Sequence, residues 1–207
     1  SYTSGSTTYP NSGYPTALTV FDGKLFFNAT DATIGNELFY YDGTNVTGID
    51  IYTGSTGSGS STYLNSSYPY SFTEYKSVLY FQARDATYGS ELWGYDATNG
   101  ARLIKDISPG SYTSGSNTYK NSSYPGGLTV FDNKLYFSGE DGYNVTGGAG
   151  GELWYYDGNN AGRAADIYSG SSGSHPWAFL LQLIKCISEH KSHQPGPNHI
   201  FLLPRIL

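Results

Sequence analysis

Short apolar runs alternate with turn-forming residues along most of this 207-residue chain. Residues 18–21 and 24–27 are β-branched and aromatic runs on either side of Asp22-Gly23, a pair that tolerates the positive φ angles of a type I′ hairpin. Residues 37–41 and 46–52 follow as two further runs, separated by the turn sequence Asp42-Gly-Thr-Asn45. The pattern predicts a four-stranded antiparallel meander.

This pattern recurs three times. Residues 14–27 return almost unchanged at 124–137 and in diverged form at 68–81, and the strings at 37–43, 91–97 and 152–158 all begin Glu-Leu. The prolines that open each unit, Pro15, Pro69 and Pro125, are 54 and 56 residues apart. We therefore divide the chain into an inter-blade link (1–13), repeat 1 with its link (14–67), repeat 2 with its link (68–123), repeat 3 (124–174) and a divergent tail or partial fourth repeat (175–207).

Repeated four-stranded meanders of this length predict an all-β fold of β-propeller-like blades, here three plus a partial fourth. A propeller needs about 4–8 blades to close. The alternatives are an incomplete propeller, an open stack of small sheets, or a unit that neighbouring copies complete. In each case the units must pack on one another. The expected packed faces consist of Leu25, Phe27, Leu38, Tyr40 and their repeats, and the Gly/Ser/Thr-rich links 52–67 and 108–123 are expected to join the blades.

Composition excludes several functions. A net charge of -6 with 14% charged residues argues against nucleic-acid binding and against an anionic membrane surface. A single Cys excludes an internal disulfide framework and a Cys-rich zinc site. The absence of Met predicts a processed or partial chain, with a leader removed.

The repeats resemble the ELWxxDGT repeat family. The resemblance is carried by Glu-Leu-Trp-Tyr-Tyr-Asp-Gly at 152–158, Leu-Ile-Lys-Asp-Ile-Ser-Pro-Gly at 103–110 and Leu-Thr-Val-Phe-Asp-Asn-Lys-Leu-Tyr-Phe at 128–137. It implies tandem propeller-like repeats of a large secreted or surface protein, with no assigned activity. The chain departs from the pattern at Phe39, at Ala97 and in the insertion 143–150, which leaves a shared ligand site at those turns in doubt.

The sequence predicts no enzyme. The repeats contain no His before residue 175, so a Ser-His-Asp centre has no base there. Paired carboxylates suit glycoside hydrolysis, but a catalytic pair is asymmetric, whereas these recur in each unit. A repeated carboxylate is better interpreted as a turn cap or an acceptor of backbone N–H bonds. The carboxylates considered are Asp31, Glu37, Asp85, Glu91, Asp141 and Glu152.

No organic cofactor is expected. Calcium is a weaker alternative, because Asp31 to Glu37 and Asp85 to Glu91 place oxygen side chains at alternate positions around a glycine. Each segment has only two carboxylates, and turn chemistry explains the same residues.

Exposed tyrosines in the links suggest a binding surface for sugars or for another protein, with local packing as the alternative. These tyrosines are Tyr63, Tyr68, Tyr112, Tyr119 and Tyr124.

Five Asn-X-Ser/Thr sequons predict N-linked glycans if the chain passes through a glycosylating secretory route. Asn65 and Asn121 are the first choices because they occupy equivalent points of two links, and Asn28, Asn45 and Asn144 are the others.

The tail has a different composition. The 11-residue apolar run 177–187 is shorter than the roughly 20 residues needed to cross a bilayer, so no membrane span is predicted. Cys186, His190, His193 and His199 match no metal-site spacing. The run is interpreted as a diverged strand, an element that docks on a neighbour, or an aberrant stretch.

These observations together predict an extracellular or cell-surface structural glycoprotein that self-associates into a fibre or matrix. The alternative is a carbohydrate- or protein-binding adhesion module.

Overall fold

The computed structural model describes residues 2–4, 7–9, 12–58, 61–141, 150–168 and 174, and every regular element in them is a β-strand. Each repeat forms one four-stranded antiparallel meander, as predicted. Unit 1 consists of β3 (Thr16–Phe21), β4 (Lys24–Asp31), β5 (Gly35–Tyr41) and β6 (Val46–Ile49). Unit 2 consists of β9 (Tyr70–Tyr75), β10 (Val78–Asp85), β11 (Gly89–Asp96) and β12 (Gly100–Lys105), and unit 3 of β15 (Gly126–Phe131), β16 (Lys134–Glu140), β17 (Gly151–Tyr156) and β18 (Ala161–Ala165).

The tight turns between the first two strands are of the predicted kind. Asp22 and Gly23 have φ angles of 48° and 69°, and both residues of the equivalent pair in unit 3, Asp132 and Asn133, also have positive φ. Unit 2 makes the same turn with Lys76 and Ser77, at φ 49° and 59°. The flanking strands therefore impose the turn even where neither residue favours positive φ.

The links have regular structure that the sequence did not predict. They contain two-stranded antiparallel hairpins: β7 (Ser55–Ser58) with β8 (Ser61–Leu64), and β13 (Ser111–Ser114) with β14 (Asn117–Lys120). A third hairpin, β1 (Tyr2–Ser4) with β2 (Thr7–Tyr9), precedes unit 1. In the second link the Tyr112 and Tyr119 rings stack across the strands, with centroids 5.5 Å apart. Such cross-strand pairs stabilise a hairpin that composition alone assigns to a loop.

Each meander carries apolar side chains on both faces. The front face of unit 1 contains Leu25, Phe27, Phe39 and Tyr41, which pair across β4 and β5. Its back face contains Phe26, Leu38 and Tyr40. The predicted packing residues thus divide between two faces, with Leu25 and Phe27 on the front and Leu38 and Tyr40 on the back.

The core lies between the units, since the back face of one sheet packs on the front face of the next. The first cluster joins Phe26 and Leu38 of unit 1 to Leu79, Phe81 and Trp93 of unit 2. The second joins the back face of unit 2 to the front face of unit 3 in the same way. The same ring contact recurs at both interfaces: Phe26 lies 5.0 Å from Tyr95, and Tyr80 lies 5.6 Å from Tyr156.

The described residues form a row of stacked sheets and no closed barrel or propeller. The tail 175–207, with the apolar run and its Cys and His residues, lies outside the described residues, as does the insertion 142–149. Within the described part, no helix is long and apolar enough to span a membrane.

Because the core lies between the units, replacing equivalent phenylalanines by alanine should lower the free energy of unfolding by different amounts. Phe81 is fully buried between units 1 and 2, so we expect Phe81→Ala to lower the free energy of unfolding by about 3–5 kcal/mol. Phe27 occupies the same position in unit 1 but is only half-buried, so Phe27→Ala should cost clearly less. Urea unfolding followed by tryptophan fluorescence measures both, and equal losses would contradict an inter-unit core.

Candidate functional site

The repeated glutamates of the third strands are fully buried. Glu91, in β11, receives three hydrogen bonds from the segment that follows β12. The backbone N–H of Ile107 donates to Oε2 (2.8 Å), the N–H of Ser123 donates to Oε1 (3.0 Å), and the Ser123 hydroxyl donates to Oε2 (2.6 Å). Both carboxylate oxygens are therefore satisfied inside the protein.

The other two units repeat this arrangement. Glu37 accepts bonds from the N–H of Ile51 (3.0 Å) and from the N–H and hydroxyl of Ser67. Glu152 accepts bonds from the N–H of Ile167 (2.8 Å) and from the N–H and hydroxyl of Ser174, both 2.9 Å. The interpretation of these glutamates as acceptors of backbone N–H bonds is confirmed.

The serines that bind Glu37 and Glu91 belong to the segments that enter units 2 and 3. We call residues 65–69 and 121–125 the junction segments. The N–H of Ser123 also donates to Ser90 O in unit 2 (2.9 Å), and Ser123 O accepts from the N–H of Glu140 in unit 3 (2.8 Å). Ser67 bridges units 1 and 2 in the same way, through Asn36 O and the N–H of Arg84. Each junction segment thus forms hydrogen bonds to two sheets, and the buried glutamate of the preceding unit accepts further bonds from it.

A glycine two residues before each glutamate makes room for the junction segment. Gly89 has a φ of 78°, and a Cβ atom there would lie 2.2 Å from Asn121 O. Gly35 has a φ of 83°, and its Cβ would lie 2.3 Å from Asn65 O. Both the backbone angle and the close approach require glycine.

Burial affects the ionisation of Glu37 and Glu91. Removal of the Glu91 carboxyl from water raises its pKa to about 8, against the opposing effect of the bonds from Ser123 and Ile107. Burial also raises the pKa of Glu37 above its usual range. The raised pKa reflects a structural position, since neither carboxyl reaches solvent.

The calcium candidates are not assembled into a site. Asp31 caps its own turn by accepting from the N–H of Thr33 (2.7 Å) and from the Thr33 hydroxyl, and these bonds lower its pKa. Asp85 accepts from the N–H of Thr87 (3.0 Å) and of Tyr88 (2.7 Å). Glu37 and Glu91 bind the junction segments instead. In the described residues no group of three or more His, Cys, Asp or Glu side chains is placed to hold a metal ion.

The aspartates of the Glu-Leu strings also act locally. Asp42, Asp96 and Asp157 each accept bonds through Oδ1 from backbone N–H groups two and three residues further along. Unit 2 makes this turn with Ala97 in place of glycine. Asp141, the remaining carboxylate candidate, pairs with Arg163 at 2.8 Å.

The predicted glycosylation sites differ in access. Asn45 is exposed in the turn between β5 and β6. Asn65 and Asn121 are junction residues whose Nδ2 atoms donate to Thr53 O (2.8 Å) and Pro109 O (2.9 Å), and Asn121 is buried. Asn28 donates to Pro69 O (3.0 Å). Asn144 lies outside the described residues.

The serines that donate to the buried glutamates were not identified from the sequence. Ser67 and Ser123 lie 30 and 32 residues after their glutamates, and Ser174 lies 22 residues after Glu152. The usable signal was the Ser-Tyr-Pro string at the start of units 2 and 3, together with Ser174-His-Pro.

No family model matches the chain, and no curated protein or solved structure matches it either. The resemblance to ELWxxDGT repeats stays an expectation from the sequence.

The buried glutamate predicts a pH-dependent stability. Because the folded pKa of Glu91 lies near 8 and its ordinary value is 4.5, the folded state retains a proton that the unfolded state loses. The free energy of unfolding should therefore fall as the pH rises from about 4.5 to about 8. Glu91→Gln, which does not ionise, should flatten this decline, and a smaller slope from Glu37 should remain.

Urea unfolding at several pH values across this window measures the slope. Glu74→Gln, which changes an exposed carboxylate of the same sheet, is the matched control and should keep the wild-type slope. An unchanged slope in Glu91→Gln would contradict the assignment.

Proposed function

We propose that this chain is an extracellular structural repeat protein whose units continue from one copy to the next, as in the protomer of a surface fibre or matrix. The observation that supports this is the front face of unit 1. Several of its side chains are more exposed than their equivalents in units 2 and 3, which pack against the preceding sheet, although Phe39 is buried.

Equivalent residues make the difference quantitative. Leu18 of unit 1 is 60% exposed, whereas Leu128 of unit 3 is 7% exposed. Tyr41 is 39% exposed, whereas Tyr156 is 9% exposed. A contiguous apolar face of this kind favours an interface over a free surface.

The other end of the row offers the complementary surface. Ile107 of unit 2 is buried against unit 3, whereas its equivalent in unit 3, Ile167, is exposed among the described residues. Tyr136, Leu153 and Tyr155 on the same back face are only half-buried. The back face of unit 3 thus corresponds to the surface that receives a front face at both interfaces within the chain.

Head-to-tail contact between such faces is heterologous, so it closes into a ring or grows into a filament according to the rotation between units. The propeller-like prediction corresponds to closure and the fibre to open growth. We favour the fibre because the three described units form a row of stacked sheets and no closed propeller.

The surface suits an extracellular glycoprotein. Few charges, many Ser and Thr residues and the exposed sequon at Asn45 support this part of the proposal. Asn121 is a first choice for glycosylation by sequence, but its burial and its bond to Pro109 give it a structural role instead.

Self-association predicts a sensitive position at Leu18. Leu18→Glu would place a charge in the contact between copies, and we expect it to weaken association by at least about tenfold. Analytical ultracentrifugation and negative-stain imaging of the wild-type chain should show concentration-dependent oligomers or filaments that this variant lacks.

Leu64→Glu is the matched control, because Leu64 is an exposed leucine of the first link hairpin, away from the front face. It should assemble like the wild type. A wild-type chain that stays monomeric at high concentration, or equal assembly by Leu18→Glu, would refute the proposal.

The sequons predict unequal occupancy. In a chain secreted from a glycosylating host, we expect Asn45 to carry a glycan in more molecules than Asn121, because Asn121 is buried and its amide is bonded to Pro109. Glycopeptide mass spectrometry measures both sites, and Thr47→Ala removes the Asn45 acceptor as a control. Higher occupancy at Asn121 would contradict this ranking.

A further inference from the structure

The two junction segments have the same sequence, but the residue whose backbone N–H donates to the junction serine differs. It is Arg84 at the first junction and Glu140 at the second. In the first junction, the Arg84 guanidinium lies over the Tyr68 ring, 4.8 Å from its centroid, and 5.8 Å from the centroid of Tyr52. Its Nε atom donates to Ser66 O (2.8 Å). Arg84 thus lies over one face of the Tyr68 ring, which is 48% exposed.

At the second junction the residue equivalent to Arg84 is Glu140, which has a shorter side chain. The equivalents of Ser66 and Tyr68 are Ser122 and Tyr124. A cleft of about 260 Å³ occupies this junction. It is lined by Tyr112, Lys120, Asn121, Ser122, Tyr124 and Glu140.

One polar atom of this lining is unsatisfied. Asn121 is 5% exposed, and its Oδ1 atom has no hydrogen-bond partner among the described residues. The bond from its Nδ2 to Pro109 O fixes the amide orientation. A buried acceptor without a partner costs about 1–3 kcal/mol. This oxygen is itself buried, so Asn121 lies beside the cleft without presenting an open acceptor to it.

The aromatic walls are held in place. Tyr112 stacks on Tyr119 across the hairpin, and the backbone N–H of Tyr124 donates to Ser90 O (3.2 Å). Both lining tyrosines are partly exposed. Rigid tyrosine rings present an apolar surface at a low entropic cost.

The polar groups select the kind of ligand. Lys120 brings a positive charge and Glu140 a negative one, so the lining favours neither an anion nor a cation. It offers donors, acceptors and flat apolar surface to a neutral molecule that has all three. A pyranose ring combines hydroxyl donors and acceptors with an apolar C–H face.

We propose that the cleft between the second link hairpin and unit 3 binds a pyranose residue of a glycan. In this arrangement a C–H face stacks on Tyr124 or Tyr112, and ring hydroxyls bond to the polar side chains of the lining, such as Ser122 and Lys120. This binding goes beyond the structural role and does not depend on self-association.

The test uses the whole chain, ¹⁵N-labelled and produced in a host without N-glycosylation, so that Asn121 is unmodified. Methyl β-D-glucopyranoside, methyl β-D-galactopyranoside and methyl α-D-mannopyranoside are titrated separately, with L-arginine methyl ester as a cationic comparison. We expect at least one glycoside to give saturable shifts of the Asn121 side-chain amide resonances.

Three variants locate the site. Glu140→Arg should abolish the shifts, because an arginine here can lie over the Tyr124 ring as Arg84 lies over Tyr68. Tyr124→Ala should weaken binding by about tenfold through loss of the stacking surface. Tyr68→Ala makes the same change in the first junction and should bind like the wild type. A dispersed amide spectrum confirms that each variant is folded.

The proposal is overturned if no glycoside shifts the Asn121 resonances up to the solubility limit, or if Glu140→Arg binds as the wild type does. Equal losses in Tyr68→Ala and Tyr124→Ala would place the binding elsewhere. Binding of the arginine ester alone would make the cleft a cation site. None of these results bears on self-association, which sedimentation of the ligand-free chain decides separately.

Discussion

A four-stranded sheet with apolar side chains on both faces must be covered on both sides, and this constraint governs the whole molecule. A single meander cannot satisfy it, because one sheet has no second layer of its own. Unit 2 satisfies it fully by packing between units 1 and 3. The same constraint leaves the front face of unit 1 as the natural place for another unit.

Burial of apolar area does not by itself fix the position of the segments that join the sheets. The hydrogen bonds to the buried glutamates fix it. Each carboxyl accepts bonds from the end of its own unit and from the segment that begins the next. A buried carboxyl without these donors would be costly, so the junction segment has one favourable position. The two interfaces between units therefore have similar geometry. The Phe26–Tyr95 ring contact of the first interface recurs as Tyr80–Tyr156 in the second.

The meanders and their turns could be predicted because they depend on local pattern: the alternation of apolar residues and the turn residues Asp22 and Gly23 act within a few positions. The link hairpins could not. Their strands are Ser, Thr and Tyr residues with low hydrophobic contrast, and their pairing is decided by cross-strand contacts such as Tyr112 with Tyr119. Asn121 likewise matched a sequon in the sequence, and only the fold placed it in a buried position.

The sequence by itself determined the repeat, the four strands of each unit and the structural character of the repeated glutamates, because periodicity and recurrence are properties of the chain. The tertiary structure decided which face each side chain occupies, which serine meets which glutamate and where a cleft opens. These outcomes depend on groups that lie more than 20 residues apart, such as Glu91 and Ser123, whose contact only the stacking of the sheets creates. The difference between Arg84 and Glu140 can be read in the sequence, but only the folded structure places Arg84 over Tyr68 and Glu140 in the lining of a cleft beside Tyr124.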